Sequence, residues 1–274
     1  MKAFRNLELY LGAGLIIIIG GIVLFAPLLF PDGGSKMDLT ARLMPAFQDP
    51  AHPLGTDTQG RDLLARIAHG GRVSFLVGLL SAAGAVVIGT VIGLMAGYYR
   101  GFADMFLMRF ADVQLALPFI LLAMTVIAII GPGLDRIVIL MIVAQWVQYA
   151  RLIRGATLTL RDAEYVQAAR AYGLGNMRII FGHILPNAMG PLVILATLNV
   201  ANNILLESSL TFLGFGIDPL TPSWGGMLAS ARNYVQTAPW LTIFPGLAIM
   251  LTVLGLNLLG DWLRDRLDPL GHTK

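Results

Sequence analysis

Long apolar runs separated by short polar stretches fill the chain from near its N-terminus to Leu259. As a helix, about 20 apolar residues cover the roughly 30 Å hydrocarbon core of a bilayer. Leu7–Leu29, interrupted only by Glu8, is long enough to do so. It is longer than the apolar region of a signal peptide and has no small-residue cleavage site, so it predicts an uncleaved first span. Five further runs predict spans at Val73–Tyr99, Val113–Ile130, Ile137–Ala150, Leu192–Leu206 and Leu241–Leu259. The fourth is short and carries Gln145 and Gln148; the fifth is expected to extend by a turn or two at each end. The pattern therefore predicts an all-α integral membrane protein with six transmembrane helices. Between the spans, residues 30–72 carry Asp, Pro and Gly punctuation and predict an ordered segment. Residues 213–240, with Gly214, Gly216, Pro219, Pro222, Gly225 and Gly226, predict a turn-rich loop that packs back on the bundle.

Composition agrees with a lipid-embedded chain: 56% of residues are hydrophobic, 13% are charged and the mean hydropathy is +0.73. An ordinary soluble domain carries about 25% charge. Placing the N-terminus in the cytoplasm puts twelve of the 19 Lys and Arg residues inside, among them Lys2, Arg5, Arg100, Arg151, Arg161, Arg170, Arg264 and Lys274. Five of the seven left outside lie in residues 30–72. The bias favours cytoplasmic N- and C-termini. The absence of cysteine excludes disulfides, thiolate zinc sites and a cysteine nucleophile. The three lysines, Lys2, Lys36 and Lys274, sit in no GxxxxGK[ST] loop, so any ATP energy must come from a partner. The sixteen arginines read as topology signals and anionic-lipid contacts, not as a nucleic-acid surface.

The arginine-rich segment between the fourth and fifth spans is the most informative. Asp162 can cap a short helix in which Tyr165, Ala168/Ala169 and Tyr172 share a face. Gly173 can take the left-handed conformation that ends it. Asn176 can cap a second piece, where Met177, Ile180, Phe181 and Ile184 repeat the spacing, and Pro186 marks its end or the entry to the next span. Two short amphipathic pieces bent at a glycine fit either of two roles. They can lie on lipid, or they can form a rigid knob that docks in a groove of a soluble partner.

Here the sequence resembles a known family. Gln167-Ala168-Ala169-x-x-x-Gly173, followed after nine residues by His183-Ile184-Leu185-Pro186, is similar to the "EAA" loop of permease subunits of ABC importers. The family pattern has Glu where this chain has Gln167, and Ile where it has His183. His52-Pro-Leu-Gly-Thr-Asp-Thr-Gln-Gly-Arg-Asp-Leu-Leu-Ala-Arg66 with Gly71-Arg-Val-Ser74 resembles the N-terminal region of C-type permeases of dipeptide, oligopeptide and nickel importers. Ser209–Gly216, Pro222–Leu228 and Asn257–Pro269 match the same subfamily. The resemblance runs from about residue 50 to 269. It implies a type I ABC importer permease fold in a bacterial inner membrane, with a core over residues 73–274 that follows an N-terminal helix and extracytoplasmic segment over residues 1–72. It also implies a second homologous permease, two cytoplasmic ATPases that bind ATP and Mg, and an extracytoplasmic solute-binding protein. No cofactor is expected in this chain. By the same resemblance residues 161–187 are the coupling loop, with Glu164, Gln167, Ala168, Ala169, Gly173, Ile184, Leu185 and Pro186 at the ATPase contact. Di- and oligopeptides are the first expected cargo, with nickel complexes and other small solutes, such as modified peptides or glycosides, as alternatives.

Polar residues inside lipid usually face a bundle interior or a water path. Asn199, Asn203 and Glu207 share one face of the fifth span, with Asn202 beside them. They either line the translocation pathway or its seam with the second permease, or make interhelical hydrogen bonds that hold the bundle. Gly84, Gly89, Gly93 and Gly97 on the second span predict a face for close helix packing. Asp57, Arg61, Asp62 and Arg66 are expected to pair with one another.

Two other classes fit poorly. Asp62-x-x-Ala65-Arg66 faintly resembles the opening of the lipid-processing CDP-alcohol phosphotransferase motif, but no Asp or Glu follows until Asp104 to complete a metal site. No HExxH helix occurs, and His52, His69, His183 and His272 are scattered. A self-sufficient secondary transporter would be expected to show mid-membrane charges and an internal inverted repeat, and neither is visible.

Overall fold

The computed structural model describes residues 2–218 and 220–267, with the side chains of the first six residues outside the description. Pro219, Asp268, Pro269 and Lys274, and the side chains of Lys2 and Arg5, which entered the sequence expectations, thus lie outside the described residues. Every regular element among the described residues is helical. The long helices are α1 (Lys2–Leu24), α3 (Leu63–Tyr99), α6 (Leu134–Leu160), α9 (Leu185–Phe212) and α11 (Trp240–Leu267). Shorter ones are α2 (Ala26–Leu29), α4 (Gly101–Leu115), α5 (Phe119–Ile130), α7 (Glu164–Ala171), α8 (Asn176–Ile179) and α10 (Trp224–Ala231).

Among the described residues five helical stretches are long and apolar enough to cross a membrane, and the pair α4/α5 makes a sixth if its two bent halves count as one span. The predicted third span, Val113–Ile130, is not a straight helix. The chain bends by 82° between α4 and α5. The cause is local: Pro118 supplies no amide hydrogen and disfavours helical backbone at Leu117. The predicted fourth span is longer than expected, because the helix continues past Arg151 and Arg154, which pair with Asp112 and Asp104 of α4. The second begins ten residues before Val73, where Asp62 caps α3 by accepting from the Ala65 amide at 2.7 Å. α3 thus runs through residue 72.

α3 is the central helix, packed by α1, α6, α9, α10 and α11. Its glycines let α6 approach to backbone contact. A Cβ at Gly89 would lie 2.5 Å from the Trp146 carbonyl oxygen, one at Gly93 2.5 Å from that of Ala150, and one at Gly97 2.7 Å from Thr157 Cβ. Gly84 fits in the same way against Ile142. α4 is tied to α6 by polar contacts: Trp146 Nε1 donates to Gln114 Oε1 at 2.8 Å, and Arg154 grips Asp104 with two bonds of 2.5 and 2.7 Å.

The segment 30–62 and the loop before α11 meet at one end of the bundle, where Trp240 Nε1 donates to the Thr56 carbonyl at 3.2 Å and Trp224 Nε1 to that of Ile67 at 2.9 Å. The residues from His52 to Arg66 form a closed turn. Thr56 is buried, donates its hydroxyl to the Ala41 carbonyl and accepts from the Met44 amide. Asp57 Oδ1 accepts from the Gln59 and Arg61 amides, and Gly60 (φ +70°) sits so close to the Asp38 carbonyl that no side chain fits. The exposed Thr40 hydroxyl and amide donate to Asp38 and hold its carboxyl below the usual range. Asp57 pairs with both arginines as expected, whereas Asp62 takes His52 at 2.9 Å in place of an arginine.

Overpacking a close helix contact costs about 1–3 kcal/mol. Gly93→Ala should therefore lower the thermal unfolding midpoint of the purified protein. Gly21→Ala, where an added Cβ meets nothing within 4 Å, should leave it unchanged or raise it.

Candidate functional site

At the other end of the bundle, α7 and the turn after it form a knob. Val166 and Ala169 are buried against Tyr98, Ile179, Ile180 and Ile184. Tyr165, Tyr172, Met177 and Phe181 are exposed, Tyr172 at 87%. Of the apolar face read from the spacing, Ala169 is buried with Val166, while Tyr165, Ala168 and Tyr172 stay exposed. Asp162 does not cap α7 either: Ala163 holds that place without a side-chain bond. The Asp162 carboxylate instead meets Arg100 at 2.7 Å, and its carbonyl accepts from Gln167 Nε2 at 2.8 Å. Nor does Asn176 cap a separate second helix. α8 passes through a π-helical turn, Ile180–Ile184, directly into α9, making one stretch Asn176–Phe212.

Gly173 has φ +78° and turns the chain between α7 and α8. Of the residues singled out by sequence, Glu164, Gln167 and Ala168 lie on the exposed side of the knob and Ala169 on its buried side. Ile184 is buried at the root, and Leu185 and Pro186 follow the π-helical turn at the start of α9.

Local spacing carried no signal for what anchors the knob. Tyr98, the penultimate residue of α3, donates its hydroxyl to Asn176 Oδ1 at 2.8 Å. Arg161 donates to the Tyr98 carbonyl at 2.5 Å, and the guanidinium groups of Arg161 and Arg170 both lie 5.7 Å from the centre of its ring. These contacts join residues more than sixty positions apart. They tie the knob to the ends of α3 and α6.

The row Asn199, Asn203, Glu207 lies on the side of α9 that faces α3 and α6. Asn199 Nδ2 donates to the Tyr149 hydroxyl at 3.0 Å and to Gln148 Oε1 at 3.4 Å. Asn203 accepts from Gln145 Nε2 and donates to the Gly78 carbonyl at 3.2 Å. Glu207 is fully buried and accepts from the hydroxyls of Ser74 at 3.0 Å and Thr211 at 2.9 Å. Asn202 points outward and is exposed. The glutamines of α6 are thus the partners of the asparagines of α9. Among the described residues no group of three or more His, Asp or Glu side chains gathers to hold a metal ion.

Comparison with known proteins gives consistent results. The chain is 44% identical over 260 residues to the dipeptide transport system permease protein DppC of Alkalihalophilus pseudofirmus, covering 93% of this chain and 84% of that one. It is 48% identical over 216 residues to the di/tripeptide transport system permease protein DppC of Pseudomonas aeruginosa, covering 79% and 71%. It is 41% identical over 269 residues to the glutathione transport system permease protein GsiD of Pectobacterium atrosepticum, covering 98% and 89%. The fold matches a chain of the inward-facing MetNI methionine ABC transporter with a TM-score of 0.61 at 18% identity, over 73% of this chain and 95% of that one. Residues 89–270 match the family model described as binding-protein-dependent transport system inner membrane component. With α3, α6 and α9 assembled around the knob, and two thirds of its length matched, the chain belongs to the family of inner membrane components of binding-protein-dependent transport systems.

Proposed function

We propose that this chain is a permease subunit of a peptide-type ABC importer, and that the knob formed by α7 and the turn at Gly173 docks on a cytoplasmic ATPase. The observation that carries this reading is the knob's division into two faces. One is locked to the ends of α3, α6 and α9; the other presents Tyr165, Tyr172, Met177 and Phe181, exposed among the described residues. Exposed apolar surface of this kind marks an interaction site. Arginines at this end (Arg100, Arg151, Arg161, Arg170, Arg178) support a cytoplasmic position for it and for both termini. A second permease would complete the pathway, and an extracytoplasmic binding protein would deliver the solute. The peptide substrates named for the relatives support di- or oligopeptides as cargo. ATP hydrolysis in the partners would rock the permease halves, with the anchored knob as the lever.

The row Asn199, Asn203 and Glu207 would line the seam beside the pathway and hold α9 in register with α3 and α6. Their burial and their bonds to α3 and α6 support that role, and the outward Asn202 marks the neighbouring stripe of α9 for pathway contact.

Gly173→Val forces a β-branched residue into left-handed backbone, at a cost of about 1–2 kcal/mol. It should cut uptake about tenfold while the subunit still inserts and the ATPases still hydrolyse ATP. Gly175→Ala, where φ is −66° and an added Cβ meets nothing, should change neither. Unchanged uptake and unchanged stimulation by the binding protein in Gly173→Val would remove the docking assignment. Glu207→Ala strands two buried hydroxyls and should destabilise the complex by about 1–3 kcal/mol, with Glu207→Gln milder. Full thermal stability with lost uptake would instead put Glu207 in contact with the solute. In cells, depleting ATP should abolish uptake and collapsing the ion gradients should not.

A further inference from the structure

We propose that the cavity at the end of the bundle opposite the knob is a binding site for the carboxylate of a small solute, with Arg66 as its principal cation and Arg61 beside it. The cavity, about 280 Å³, lies between the 55–66 turn, α10 and the start of α11. Leu63, Met227 and Leu241 make an apolar floor, Arg66 and Arg61 stand in one wall with Asp57, which pairs with both, and the exposed Gln59 is at the mouth.

The argument rests on charge and hydrogen-bond inventory. Arg66 is only 8% exposed, and among the described residues its guanidinium donates no hydrogen bond. Its nearest carboxylate is Asp57, at 3.6 Å, which is too long for a hydrogen bond. Asp57 is already occupied: it accepts from the Gln59 amide at 2.8 Å, the Arg61 amide at 3.0 Å and Arg61 Nε at 2.7 Å. Asp62 faces His52 and caps α3, so it does not serve Arg66. Two guanidinium groups thus share one carboxylate, which leaves one positive charge and unused donors lining a cavity. The Arg66 donors face the open cavity and are not sealed off, and a planar guanidinium matches a carboxylate by paired hydrogen bonds. The apolar floor would take a short aliphatic group next to that carboxylate, and the volume suits a group of about one amino acid. The site rests on the peptide reading only for the identity of the solute; the anion preference follows from this wall alone.

The test uses the assembled permease–ATPase complex in lipid nanodiscs without binding protein, and saturation-transfer NMR with acetate, dialanine and alanyl-alanine amide as probes. Acetate and dialanine should receive saturation, and the amide should bind about tenfold more weakly, the factor for one charge-assisted bond. Arg66→Gln should abolish the acetate signal. Because that variant can fail to assemble, Gln59→Glu supplies the second arm: a carboxylate at the mouth should weaken acetate about tenfold. Equal binding of acid and amide, or an unchanged acetate signal in either variant, overturns the proposal. So does a lack of any acetate signal when both variants impair docking of the binding protein, because the arginines would then serve that protein's own acidic residues. Uptake of dialanine by the intact system separates the two readings. Import without an Arg66-dependent acetate signal removes the site and leaves the peptide reading. Arg66-dependent acetate binding without dipeptide import does the reverse.

Discussion

The close approach of α3 to α6 is the contact on which the other elements depend. Lipid tails are as apolar as leucine, so burying apolar side chains gives little reason for two helices to associate in a bilayer. What remains is dense packing, and the glycines at 89, 93 and 97 provide it by letting the Trp146–Thr157 stretch of α6 lie directly on the backbone of α3. With α6 placed there, Gln145 and Gln148 are carried to Asn203 and Asn199, and α9 is drawn in by hydrogen bonds that have no water to compete with them. α4 follows through Gln114 and Asp104. One row of small residues thus sets the position of three other helices.

α3 also joins the two functional ends. At 37 residues it is about 55 Å long at 1.5 Å per residue, enough to pass beyond the hydrocarbon on both sides. Its first turn holds Arg66 in the wall of the cavity, and its last holds Tyr98 under the knob. One continuous helix thus reaches from the cavity to the knob. The contrast with α4 and α5 is informative: there Pro118 breaks the run, and the two halves lie at 82°.

Polar groups in this bundle divide by how they are satisfied. Glu207 is surrounded by hydroxyl donors from α3 and its own helix, and the asparagines are matched with glutamines, so the row stabilises packing. Arg66 is buried to a similar degree but lacks such partners. The same burial therefore has different meanings, scaffold in one case and site in the other, and the inventory of bonds distinguishes them.

Much of this was legible in the sequence because lipid is a demanding solvent: apolar length alone located five of the spans, and the glycine spacing and the left-handed turn at Gly173 follow from backbone geometry. Boundaries were less legible. Arg151 and Arg154 made α6 look short because their carboxylate partners lie on α4, and the apolar face of α7 did not reveal which of its residues meet the bundle, because spacing cannot say which side does. The knob's anchors, Tyr98, Arg161 and Asn176, depend on residues more than sixty positions apart, and the choice of Asp62 for His52 and the excess charge at Arg66 depend on how the turn between them closes. The sequence by itself determined the elements and their apolar surfaces, since these depend on neighbours within a few turns. Only the tertiary structure decided which polar groups are matched and which are left open, because that depends on what the packed helices bring together.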